Sequence, residues 1–123
     1  MANECTPLFR PGKDVTVLTT GAVTGKTFLA ISAAPDTYGQ LKAATCTAAA
    51  KAFGVAARDA ASGARVLVIK QGIVPVTAGG TIAVGAEVEV GSSGKAVTLA
   101  SGKAVGMAVS AGTNNNDVLV DLY

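Results

Sequence analysis

The chain has no histidine and no tryptophan, two cysteines, and five aromatic residues (three Phe, two Tyr) among 123. Without histidine there is no usual general base and no imidazole metal ligand. Ser-His-Asp and Cys-His catalysis are excluded with it. Two cysteines cannot build a four-thiolate zinc site. Nothing in the residue set points to a cofactor or a metal. Charge is scarce too: 15% of residues against the ~25% usual for soluble domains. The balance of 10 Lys+Arg against 8 Asp+Glu leaves a net +2, too small and too dispersed for a nucleic-acid footprint. Mean hydropathy is positive, at +0.47. Yet long apolar runs are missing, and the stretch from Gln71 to Ala86 is broken by Pro75, Gly79 and Gly80. A spanning helix needs ~20 consecutive apolar residues, so no membrane partner is expected. The opening residues carry Glu4 and no apolar core, which does not read as a secretory signal. Cytoplasmic synthesis is therefore expected, with Cys5 and Cys46 reduced.

What fills the chain is Ala, Val and Gly, at 24, 16 and 15 positions. Residues 1–13 lack periodicity, and Pro7 and Pro11 bracket Leu8, Phe9 and Arg10. Proline at both ends disfavours helix and leaves an extended arm with an apolar tip. From Asp14 onward short strands alternate with turns. Val15, Val17 and Thr19 share one face of the first strand. Thr27–Ser32 is the next, and Pro35–Gly39 ends it. Leu41–Thr45 reads as strand, with a short helix over residues 45–51 as the alternative, because alanine favours helix and Thr45 and Thr47 oppose it. The run Ala64–Lys70 is nearly all apolar and is expected to be buried on both faces. Pro75 confines the following strand to an edge or bulge. Later strands run at Glu87–Val90, Lys95–Leu99, Lys103–Ser110 and Asp117–Tyr123, where Val118, Val120 and Leu122 share a face. No internal repeat of solenoid type is visible. The spacing predicts an all-β fold: a small barrel or β-tulip-like domain of about eight short strands over residues 14–123, preceded by the arm 1–13. Small interior side chains suit a narrow barrel.

Few residues offer chemistry. Gly25-Lys26-Thr27 imitates the end of a phosphate loop, but Gly21 stands one residue too close and a strand follows where a helix is required. It reads as a tight turn. Glu87 and Glu89 fall on one face of a strand and read as a solvated face rather than an acid–base pair. Asp36 and Asp59 sit in turns, where Asp bonds to nearby backbone. Phe53 and Tyr123 are the candidates for a core edge or subunit seam.

One ordered set of segments is more specific than composition. Phe53-Gly-Val-Ala-Ala-Arg-Asp-Ala-Ala-Ser-Gly is followed by Ala64-Arg-Val-Leu-Val-Ile-Lys, Ile73-Val-Pro-Val and Ala83-Val-Gly-Ala-Glu-Val-Glu-Val. Ser101-Gly-Lys-Ala-Val-Gly-Met-Ala-Val-Ser and a final Val-x-Val-x-Leu complete it. From Pro11 to Tyr123 this resembles the small capsid decoration, or cement, proteins of tailed bacteriophages, although Pro35–Lys51 is longer than their pattern. The resemblance implies a non-enzymatic virion protein, made in the bacterial host cytoplasm, that binds the outer surface of the head shell and stabilises it. It implies homotrimers at local three-fold positions and the major capsid protein as partner. The arm residues Ala2, Asn3, Glu4, Thr6, Leu8, Phe9 and Arg10 would make the capsid contact. Phe53 and Tyr123 would sit at the trimer or core seam. Another phage structural part (a head-fibre base, a tail component) and a small β-barrel ligand-binding module are the alternatives.

Overall fold

The computed structural model describes Asn3 and residues 13–123. Ten short strands make up almost all of its regular structure. They are β1 (Asp14–Thr19), β2 (Phe28–Ala33), β3 (Lys42–Thr45), β4 (Gly54–Ala56) and β5 (Arg65–Ile69), then β6 (Ile73–Thr77), β7 (Glu87–Val90), β8 (Ala96–Thr98), β9 (Gly106–Ala108) and β10 (Asp117–Leu122). The first five close into a barrel in the order β1-β3-β2-β4-β5. The second five form a sheet in the order β6-β10-β9-β7-β8. β-branched valine drives most of these strands, since it packs well on a pleated, half-buried surface.

The two halves repeat one another. β1 pairs antiparallel with β5, as β6 does with β10. β2 pairs with β3 and β4, as β7 does with β8 and β9. β4 joins β5 as β9 joins β10. The parallel β1–β3 contact that closes the first barrel survives in the second as the single bridge Ala78↔Ala96. Loop bonds repeat as well. Val23 and Ala60 bridge as Ile82 and Gly112 do. Lys26 N donates to Ala56 O at 2.9 Å, and Gly85 N to Ala108 O at 2.7 Å. The left-handed residues correspond: Lys26 (φ 62) with Gly85 (φ 84), and Gly63 (φ 80) with Asn115 (φ 66). The eight buried residues of the first core are Val15, Val17, Val23, Leu29, Ala43, Ala56, Val66 and Val68. Their counterparts Val74, Val76, Ile82, Val88, Ala96, Ala108, Val118 and Val120 are all buried in the second. Full burial of one such valine side chain contributes about 1.5–3 kcal/mol. Phe28, Cys46 and Val55 of the first half join the second cluster and weld the halves together.

The strand periodicity of the sequence holds in β1, β6 and β10, and Pro75 lies on the edge strand β6. The strand expected at Leu41–Thr45 forms as β3, the alternative helix does not, and two expectations are corrected. No helix forms over residues 45–51: Cys46 N donates to Phe28 O, Ala49 N crosses to Val90 O, and Ala49 takes φ 63, so the backbone bonds go to neighbouring strands instead of a helical turn. β5 is buried on one face only, because a barrel wall has an inside and an outside, and Leu67 is 38% exposed. Glu89 is not on a solvated face; it is 7% exposed. A repeat is present that the sequence pattern hid.

Candidate functional site

The seam between the halves is the most built feature of the surface. Its cleft, about 160 Å³, is lined by corresponding positions of both halves: Ala52 with Ala104, Phe53 with Val105, and Lys70 with Leu122. Phe53 N donates to Leu29 O at 2.7 Å and Val105 N to Val88 O at 2.9 Å, so the same turn of chain delivers each residue. Tyr123 and Phe28 complete the wall. The structure thus brings Phe53 and Tyr123, the two seam candidates, to one place. Lys70 Nζ stands 4.3 Å from the centre of the Phe53 ring, a cation–π distance. Tyr123 Oη donates to Glu87 Oε2 at 2.7 Å. That hydrogen bond to the carboxylate, aided by some desolvation, raises the Tyr123 pKa above its ordinary value. Two lysines, Lys51 and Lys70, stand beside its aromatic and aliphatic walls.

Glu89 does structural work. Its Oε1 accepts from Ala100 N at 3.2 Å and its Oε2 from Gly102 N at 2.5 Å. The carboxylate folds the loop after β8 over β7, which is why it is buried. The pair Glu87 and Glu89 is therefore divided between two unrelated tasks. The imitation phosphate loop is a turn, as expected: Gly25 N donates to Asp59 Oδ1 at 2.8 Å, and Lys26 Nζ meets Asp117 Oδ2 at 2.8 Å, linking the halves. Asp36 accepts from Tyr38 N and Gln40 N at 2.9 and 3.0 Å, the expected local turn bonding. The Gln40 amide is the main cause of its lowered pKa. Asp59 instead reaches another loop. Cys46 is free and buried, and burial pushes its thiol pKa up, away from reactivity.

Of the arm residues, Asn3 is exposed, while Ala2, Glu4, Thr6, Leu8, Phe9 and Arg10 lie outside the described residues. Among the described residues no group of three His, Cys, Asp or Glu could hold a metal ion. No helix among them is long and apolar enough to cross a membrane.

The outward-facing rows of the second sheet escaped the sequence reading. β-register sets Pro75 beside Leu119, and Leu119 N and O bond across to the Val109–Ser110 segment. Leu119, Val109, Ile73 and Val84 are all exposed. The signal was the alternation in β6, whose second face carries Ile73 and Pro75, to which β10 adds Leu119 between Asp117 and Asp121.

No curated protein matches the chain by sequence. The crystal structure of the N base of the bacteriophage phi29 head fibre protein gp8.5 shares its fold, with a TM-score of 0.76 at 22% identity, over 89% of this chain and 92% of that one. The phage cement protein family model matches residues 9–122. With that span covered, the chain belongs to the phage cement protein family and is a structural protein associated with the phage head.

Proposed function

We propose that the protein is a non-enzymatic decoration protein that binds the outer surface of the head shell and reinforces it. Its direct partner is the major capsid protein. The arm, residues 1–13, makes the contact through Ala2, Asn3, Glu4, Thr6, Leu8, Phe9 and Arg10, by laying an extended, apolar-tipped strand on the shell; strand addition takes affinity from backbone bonds and specificity from alternate side chains. The body, residues 14–123, assembles as a homotrimer at local three-fold positions, after synthesis in the bacterial host cytoplasm. Many copies on one shell turn a modest single-site affinity into firm retention. The observation that carries this reading is the cement family match, which spans nearly all of the body and the end of the arm.

The test is co-sedimentation of purified protein with undecorated, expanded heads. The full chain pellets with the heads, and a variant lacking residues 2–10 stays in the supernatant with its fold intact. Full-length protein left in the supernatant overturns the reading. Equal binding by the truncated chain overturns the role of the arm. The likeness to the phi29 head-fibre base favours a second reading, a base that carries a further head appendage. Imaging of particles with and without the protein separates the two, by loss of an appendage.

A further inference from the structure

The internal repeat supplies its own control, because each position of one half can be compared with the same position of the other. Val90 and Ile31 correspond: Val90 pairs with Ala96 as Ile31 pairs with Ala43. Each stands two residues after a fully buried core residue, Val88 or Leu29, and so shares its inner face. Their surroundings differ. Val90 is 1% exposed and Ile31 50%. The first half covers Val90: Ala49 N donates to Val90 O at 2.8 Å, and Phe28, Cys46 and Val55 lie in the same cluster. Ile31 is left at an open mouth of the first barrel, where it lines a hollow with Ala30, Lys51, Ala52 and Phe53. The longer β2–β3 connection does not close it. That segment runs along β1 instead, where Gln40 Nε2 donates to Thr16 O at 3.0 Å.

What covers the second half is the piece of chain that runs into it. The chain enters β6 at Gly72, whose carbonyl accepts from Leu122 N at 3.0 Å, and the first half lies immediately before. It enters β1 at Lys13, whose carbonyl accepts from Lys70 N at 2.7 Å in the same relation. Before Lys13 lies the arm. Lys13 stands at the same end of the barrel as the mouth. Register runs from Lys70 to Gly54 and from Gly54 to Leu29, two residues short of Ile31. β2 is thus three strand spacings from Lys13 round the wall, about 14 Å, and closer across the mouth. Phe9 and Leu8 stand four and five residues before Lys13, a reach of up to ~14 and ~18 Å. Pro7 and Pro11 beside them disfavour a helix that would shorten that reach. Residues 2–12 carry one acid and one base, Glu4 and Arg10, so the mouth offers them apolar burial rather than charge.

A second copy fits the mouth worse. The surface with which the first half covers Val90 carries Phe28, Cys46 and Val55. Its counterparts in the second half are Glu87, Leu99 and Met107, with a carboxylate in place of the ring. Burying that carboxylate against Ile31 would cost more than the contact returns.

We propose that residues 2–12 of the same chain close this mouth while the protein is free of a shell, with Leu8 and Phe9 against Ile31, Ala52 and Phe53. The proposed function gives the same two residues to the shell, so the arm leaves the mouth on binding; that step rests on the proposed function, and the closed mouth does not.

The test needs no heads. In the full chain, NMR contacts are expected between the Phe9 ring and the Ile31 methyls. Phe9→Ala, which alters the arm alone, and deletion of residues 2–10 both move the Ile31 methyl shifts. Ile31→Glu changes an exposed site, with circular dichroism as the check on folding, and returns the Phe9 ring to the shift it has in a free peptide of residues 2–12. A Phe9 ring already at that shift in wild type overturns the proposal. So do Ile31 methyls that neither change in the arm moves. Contacts found only between differently labelled copies in a mixed sample put a neighbour's arm in the mouth, which also overturns it. Failure to bind heads with these contacts present would sink the proposed function and leave the closed mouth standing.

Discussion

Glu89 holds Gly102 at two levels: its carboxylate accepts the Gly102 amide, and the space where a Gly102 side chain would begin is already taken by that carboxylate and by Ala49, whose Cα lies 2.7 Å from the position of a Cβ. Three segments distant in sequence meet there, from β7, the loop after β8 and the turn before β4. Gly102→Ala has to push backbone as well as side chain, and is expected to cost about 1–3 kcal/mol. Glu89→Ala leaves the Ala100 and Gly102 amides without their acceptor and costs a similar amount, about 1–3 kcal/mol. Urea unfolding measures both; midpoints equal to wild type would refute the clamp.

The Asp36 turn makes a pH prediction. Amides of Gln40 and Tyr38 favour its carboxylate, so its folded pKa lies below the ordinary 3.8. A depressed acid contributes stability above its unfolded pKa and loses it as pH falls through the folded value. The turn that carries Tyr38 is therefore firm at neutral pH and loosens below pH 3.8. A carboxyl-carbon NMR titration should place the Asp36 midpoint under 3.8. A midpoint at or above it would contradict the two hydrogen bonds.

Tyr123 behaves in the opposite sense. Its phenol donates to Glu87, which favours the protonated form, so its folded pKa is raised above 10.0. The contribution is present below the unfolded value and lost as pH rises through the folded one. Ring resonances followed by NMR should titrate above 10.0 in wild type and closer to it in Glu87→Gln. A midpoint that the substitution leaves unmoved removes Glu87 as the cause.

Phe28, Cys46 and Val55 of the first half lie in the apolar cluster of the second. Val68→Ala in the first half and Val120→Ala in the second should each cost about 1–3 kcal/mol, by lost transfer energy and the cavity left behind. Both should shift one common transition, since neither half can open without exposing Phe28. Two separate thermal transitions, each sensitive to only one substitution, would show the halves to be independent.

Strand positions were legible where one face is buried and the other polar, as with Val15, Val17 and Thr19. Pro75 announced its edge because proline cannot donate to a ladder. The repeat was not legible. Its shared positions are Val, Ala and Ile, which recur everywhere in this chain, and the longer β2–β3 connection throws the two halves out of step. Leu67 was misplaced because an apolar run on a barrel wall looks the same as one between two layers. Glu89 was misplaced because what buries it is a loop, Ala100–Gly102, whose fold-back no local pattern encodes. Phe53 and Tyr123 could be singled out from the sequence, yet that they line one cleft depends on the repeat, which sets Phe53 opposite Val105 at the end of β10.

The same repeat bears on where a passenger could be mounted. Lys13, Gln71, Gly72 and Leu122 line one shallow pocket. The root of the arm, the junction of the two halves and the final strand end thus gather at a single edge. The Asn114–Asn116 tip sits at the other end of β10, six residues away along Asp117–Leu122, or roughly 20 Å at the rise of an extended strand. A peptide inserted at that tip stands clear of the edge from which the arm departs, whereas one appended after Tyr123 crowds it.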